Sequence, residues 1–209
     1  MMRCRFLLFT VCAALFFSCA NDVPSVIEVR PSVVFDYSDE TAAPKMRLAV
    51  FAETQSDVRR VAHIRISSKL SGYEWFVENV QIVGSDNRQW AGYANFVCPS
   101  SYTIPQGTYA FIYTDAAGEN VESAFTVSYP PALVSSNVAV ARALLGSDVN
   151  ERVAVYDENE TLIYCDVRKE TWSDDDAIFA EMKDAFQIRT CISTRDDSVI
   201  CLMPVQKQN

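Results

Sequence analysis

Histidine is almost missing: His63 is the one imidazole in 209 residues, so a serine or cysteine nucleophile would have a single base to draw on. It alternates with Arg65 along Ala62-His63-Ile64-Arg65-Ile66, on the polar side of an expected strand, which suits a solvated residue better than a catalytic one. Glycine is scarce as well, six in all, and no phosphate-cradling loop is found among them. The cysteines show no C-x-x-C spacing and the acids no EF-hand spacing, so neither zinc nor calcium chemistry is indicated. No catalytic residue, metal or cofactor is assigned on these grounds. Lys and Arg number 18 against 27 Asp and Glu, a net charge of −9, which repels phosphate backbones and argues against nucleic acid as a partner. After the first nineteen residues no apolar run is long enough to span a bilayer.

What the chain does have begins at its start. Arg3 and Arg5 precede an apolar run over 6–17, and Ser18 and Cys19 follow, the order of an export leader. The stretch Leu15-Phe16-Phe17-Ser18-Cys19 resembles the lipobox of bacterial lipoproteins, with Phe16 where Leu or a smaller aliphatic is usual, a looser form similar to that of spirochaetes. The resemblance implies that 1–18 is a signal peptide, that Cys19 carries the lipid, and that the protein is anchored in the bacterial cell envelope, at the periplasmic face or the cell surface. Its membrane contact would then run through N-terminal acyl chains. Loss of Arg3 and Arg5 with the leader leaves 16 basic against 27 acidic residues, a net charge of −11, so no basic patch assists the anchor. Residues 19–25, with Pro24, read as a short tether.

From Val26 the pattern is that of strands. Met46-Leu48-Val50, Ala62-Ile64-Ile66, Tyr73-Trp75-Val77 and Val121-Ser123-Phe125-Val127-Tyr129 place residues two apart, the period that puts them on one face of a sheet. The run Pro105-Gln106-Gly107-Thr108-Tyr109, followed by Asp115-Ala116-Ala117-Gly118, resembles the end of an immunoglobulin-like or fibronectin-III-like domain, with Tyr109 as corner tyrosine and 115–118 as a hairpin turn. The resemblance implies a β-sandwich over 26–130. The paired core cysteines of antibody domains are missing, since Cys98 stands alone there. Asp115 is read as capping its own turn, not as a calcium ligand.

Pro130-Pro131 is expected to close that domain, because two prolines cannot extend a central strand. Residues 132–209 then read as a small α+β domain of two hairpins and two helices. Ser136 or Asn137 caps a helix over 138–145 ended by Gly146, and 152–156 and 161–167 flank the turn Asp157-Glu158-Asn159-Glu160. Ser173 with Asp174, Asp175 and Asp176 opens a helix to about Phe186, with Ile178, Phe179, Met182 and Phe186 as its apolar stripe. A second hairpin turns at Arg195-Asp196-Asp197. A shift of 37 residues lays one helix-hairpin unit on the other, which suggests two hairpins in one sheet under two helices. The fold class is thus mostly β: an N-terminal immunoglobulin-like β-sandwich followed by a small α+β domain.

Outside a reducing compartment, Cys98, Cys165, Cys191 and Cys201 are disulfide candidates. Pairing symmetric about Asp196 sets Cys191 opposite Cys201, which predicts a cross-strand disulfide. Ile163, Cys165 and Val167 alternate, so Cys165 is expected to be buried, either free or stapled to Cys98. Tyr73, Trp75, Phe76, Trp90, Tyr93 and Phe96 lie close together, as sandwich core or as a binding face for sugar or protein. Trp90, within the polar segment 85–92, is expected to be exposed as a contact residue. These features describe a lipid-anchored envelope protein that works as a non-catalytic interaction or scaffolding module with a protein partner. The alternative is a ligand-binding lipoprotein with a pocket between its two domains.

Overall fold

The computed structural model describes residues 24–85, 87–99 and 102–207; the leader and Cys19 lie outside them. The chain is mostly β. Eight strands come first: β1 (Val26–Asp36), β2 (Lys45–Thr54), β3 (Val61–Ser68), β4 (Glu74–Val77), β5 (Gln81–Ser85), β6 (Arg88–Phe96), β7 (Gly107–Asp115) and β8 (Asn120–Val127). After a 3-10 turn at Pro131–Ser135 follow α1 (Val138–Leu145), β9 (Val149–Tyr156), β10 (Leu162–Asp166), α2 (Asp175–Glu181), β11 (Gln187–Thr194), β12 (Val199–Leu202) and β13 (Gln206–Lys207). The described strands build a four-stranded sheet, β4-β3-β7-β8, and a nine-stranded one, β10-β9-β11-β12-β1-β2-β6-β5, with β13 paired to β11.

Alternation sets the core. Met46, Leu48, Val50 and Ala52 of β2 are buried, as are Ile64 and Ile66 of β3 and Tyr109, Phe111 and Tyr113 of β7. They belong to one apolar cluster drawn from both sheets. The turn after β7 forms as its sequence suggests: Asp115 Oδ1 accepts from the N–H groups of Ala117 and Glu119 at 2.8 and 3.0 Å, and Gly118 has φ +84°, a value that favours glycine. Arg60 occupies the other oxygen of Asp115 at 3.0 Å.

The boundary expected at Pro130-Pro131 interrupts the strands but not the core. Strand β12 pairs in parallel with β1, Val33 opposite Val199 and Phe35 opposite Cys201, so the large sheet runs from one half of the chain into the other. Leu133, Val138, Ala141, Ile192, Val199 and Cys201 join the cluster that holds Phe35, Leu48 and Phe111. Tyr37 Oη and Ser136 Oγ meet at 2.8 Å in the interior. The two hairpins do lie side by side, in the order β10-β9-β11-β12, with α1 packed near Ile192 and α2 against Val153, Val155 and Ile188. Ile188 and Ile192 are four apart on β11, so both helices cover the same face.

Of the two expected caps of α1, Asn137 is the one that forms, its side chain accepting from Val140 N–H. Several other local expectations are corrected. On α2 the cap is Asp174, which accepts from Ala177 N–H at 2.9 Å, while Ser173 donates to Asp174. That helix stops at Glu181 because the chain must turn so that Phe186 N–H can reach Tyr156 O at 2.8 Å and enter β11; Phe186 is left exposed. The last hairpin is one residue out of the expected register: Cys191 faces Leu202, and Cys201 faces Ile192. A slip of one sends neighbours to opposite faces, so Cys201 joins the main core and Cys191 a small cluster with Val34 and Leu202 on the other side. Cys98, Cys165, Cys191 and Cys201 are all free, and the expected cross-strand disulfide does not form. The staple between Cys98 and Cys165 does not form either: Cys98 follows β6, and Cys165 sits on β10 at the other end of the strand order. Cys165 is also exposed, not buried, because β10 is an edge strand whose Tyr164 takes the place against the α2 cluster.

Candidate functional site

Strand β4 forms one edge of the four-stranded sheet, and the aromatic residues of the sequence gather beside it. Trp75 points inward, and its indole N–H donates to Val97 O at 2.8 Å. Its ring stacks near-parallel with Tyr73 at 5.9 Å and with Tyr109 at 6.1 Å, and lies 5.8 Å from Phe96, which Tyr93 meets edge-on at 5.3 Å. Tyr109 in turn stacks on Phe125 at 5.3 Å and donates its hydroxyl to Pro105 O at 2.6 Å. The free sides of this cluster line a groove of about 670 Å³ between β4 and the end of β6, with Glu74, Glu78, Asn79, Asn95 and Val97 on its walls. Val97 is exposed.

Phe76, the alternate residue, stands on the other face. It is exposed and packs on His63 at 4.7 Å and under Arg65 at 5.9 Å. His63 is therefore a stacking partner on the wall of a cavity of about 580 Å³ that Arg65, Thr114 and Glu122 also line. Trp90 is a correction: it is 3% exposed, because Arg30 and Arg88 lie over its ring at 4.5 and 5.3 Å. The polar flanks that suggested exposure belong to the face that these arginines cover, where Arg88 also pairs with Glu53 at 3.0 Å.

On the face of the nine-stranded sheet away from its helices, side chains far apart in sequence tie the halves of the chain together. Asp36 accepts from Arg189 at 2.6 Å and from Arg47 at 2.8 Å. Burial alone would raise its pKa, but these guanidinium groups outweigh it and hold the carboxyl below its usual range. Arg189 also donates through Nε to Met203 O at 2.8 Å. Arg152 grips Asp197 with two nitrogens at 2.8 and 3.1 Å. No local motif marks either pair, because their members lie 153 and 45 positions apart. A polar cavity of about 580 Å³ sits where Arg30 and Pro31 of β1 and Thr126 of β8 meet Arg195, Asp196 and Asp197.

Among the described residues no group of three or more His, Cys, Asp or Glu is placed to hold a metal ion, and no helix is long and apolar enough to cross a membrane. The chain matches no protein-family model and no curated protein.

Proposed function

We propose that this chain is a lipid-anchored protein of the bacterial cell envelope that acts without catalysis, as an interaction module presenting the aromatic groove beside β4 to a protein partner. The leader of Arg3, Arg5 and the apolar run into Ser18-Cys19 supports the anchor, with Cys19 as the acylated residue. The Tyr109 to Pro105 hydrogen bond of 2.6 Å is the contact a corner tyrosine makes, and it supports an immunoglobulin-like sandwich as the N-terminal architecture. The observation that carries the reading is the groove itself: a concave, aromatic-lined surface at a sheet edge, of the kind in which a few rigid rings supply contact area at low entropic cost.

The test is cross-linking in intact cells followed by capture from detergent-solubilised envelope, with wild type beside V97R and C19A. Val97 is exposed on the groove wall, so an arginine there fills the groove without entering the core. Loss of a defined partner with V97R is expected, and C19A should move the protein from the detergent phase to the aqueous phase. Identical capture by V97R would overturn the groove as contact surface. A second reading, a ligand-binding lipoprotein, is supported by the polar cavity between β1, β8 and the turn at 195–198.

A further inference from the structure

We infer that the groove takes an extended polypeptide segment of alternating apolar and basic residues, which adds to the small sheet as a strand alongside β4. The inference rests on the groove being the contact surface and names what enters it. Ser68 N–H donates to Tyr73 O at 2.9 Å, and the pairing continues as Ile66 opposite Trp75 and Ile64 opposite Val77. Hydrogen-bonded pairs alternate along an antiparallel ladder, so Tyr73, Trp75 and Val77 bond inward to β3. Glu74 and Phe76 then turn their N–H and C=O groups to the open side.

Other strand edges are less available. Strand β10 carries a register shift, a common device for blunting an edge, while the edge strands β5 and β8 pair without one but contribute no residue to the groove. Strand β4 pairs with β3 without a register shift and borders the groove.

An incoming strand would alternate its side chains between two faces. Those on the inner face meet the groove of Trp75, Tyr93 and Phe96, which asks for apolar residues. Those on the outer face meet Glu74, and the strand end meets Glu78, while among the described residues no Lys or Arg lines the groove. Glu74 has only an exposed contact with Arg65 at 3.5 Å, and Glu78 has no ion pair among the described residues. With the chain at −9, charge complementarity selects a basic segment and disfavours a second copy of the protein. A saccharide fits less well, because Trp75 is already stacked on Tyr73 and Tyr109 and its N–H is committed to Val97. Strand addition of this kind draws affinity from main-chain bonds and specificity from alternate side chains.

The test uses the full mature protein in detergent micelles and a short labelled peptide alternating valine and lysine, with two control peptides: one with glutamate for lysine, and one N-methylated along one edge. Binding that weakens with salt, and slowed amide exchange at Glu74 and Phe76, are expected. F76P removes an outward N–H that an edge strand can spare and should weaken binding by about tenfold or more, as losing even one hydrogen bond to the ladder does. E78K, on an exposed side chain, should weaken it by about fivefold. Both control peptides should fail, and they test the idea even if F76P does not fold. Absence of binding, equal binding of the glutamate or N-methylated peptide, or unprotected amides at 74 and 76 would each overturn the inference. Dimerisation abolished by F76P would replace the peptide with a second copy. If V97R still abolishes partner capture while the peptide result is negative, strand addition fails and the groove reading stands.

Discussion

Replacing Asp36 by alanine should destabilise the protein more than any other single change to a partly exposed side chain on the face of the large sheet away from its helices. Asp36 and Arg189 expose 28% and 13% of their side chains, so their bond is largely withdrawn from water, and it joins β1 to β11 across most of the chain. Removing one member of a buried pair costs about 3–5 kcal/mol. Two features reduce that here. Arg189 keeps acceptors in Met203 O, Tyr37 O and Leu202 O, and Arg47, at 30% exposure, can return to solvent for well under about 1 kcal/mol. A loss of about 2–3 kcal/mol is therefore expected for D36A, against total stabilities of about 5–15 kcal/mol. Urea unfolding at neutral pH measures it, with an unchanged slope showing that only stability moved. Because the folded carboxyl is held below its usual pKa, the pair contributes fully above the unfolded value of about 3.9, and the contribution is lost as pH falls through the lower folded value. Wild type should therefore lose stability below about pH 4 more steeply than D36N. A D36A variant within about 0.5 kcal/mol of wild type, the range of ordinary surface substitutions, would refute the reasoning.

Thiol labelling of the native protein should modify the exposed Cys165 first, although burial raises its thiol as well, and leave Cys98, Cys191 and Cys201 unreacted until denaturant is added, since these are buried and lifted to about 11, about 11 and about 12; a linked peptide pair in a non-reducing map would contradict it. A fragment ending at Pro130 should show no cooperative unfolding, because Val33 and Phe35 lose the β12 strand that pairs beside them. G92A should cost about 3 kcal/mol or more by the same urea measurement, as overpacking against backbone does: a Cβ at Gly92 would lie 2.1 Å from Val50 O and 2.6 Å from Phe51 Cα.

Local chemistry was readable wherever neighbours in sequence decide it. The alternation of β2, the Asp115 turn, the Asn137 cap and the Gly146 stop all depend on residues within a few positions. The register of the last hairpin did not. Symmetry about Asp196 is the simplest reading of that segment, but Asp197 adopts φ 55° while Arg152 holds its carboxylate from β9, and Asp196 accepts from Ser198 N–H and from Thr194 Oγ1. The turn thereby gains a residue, and every side chain beyond it changes face. A charge pair reaching over from another strand set what the local pattern left open.

The same asymmetry explains the expected contact residues. Trp90 sits in a polar stretch, which locally reads as exposure, yet Arg30 reaches it from a strand two places away in the sheet order and covers its ring. Trp75 sits in a strand-like alternation, which locally reads as core, yet β4 ends its sheet and leaves the cluster open on one side. Composition could locate the aromatic residues but not the edge, because an edge is a property of strand order, and β4 is paired to β3 alone at the end of the four-stranded sheet, which no local signal announces. The groove is thus a product of topology acting on ordinary core residues: rings that would otherwise be enclosed line an open groove because β4 ends its sheet.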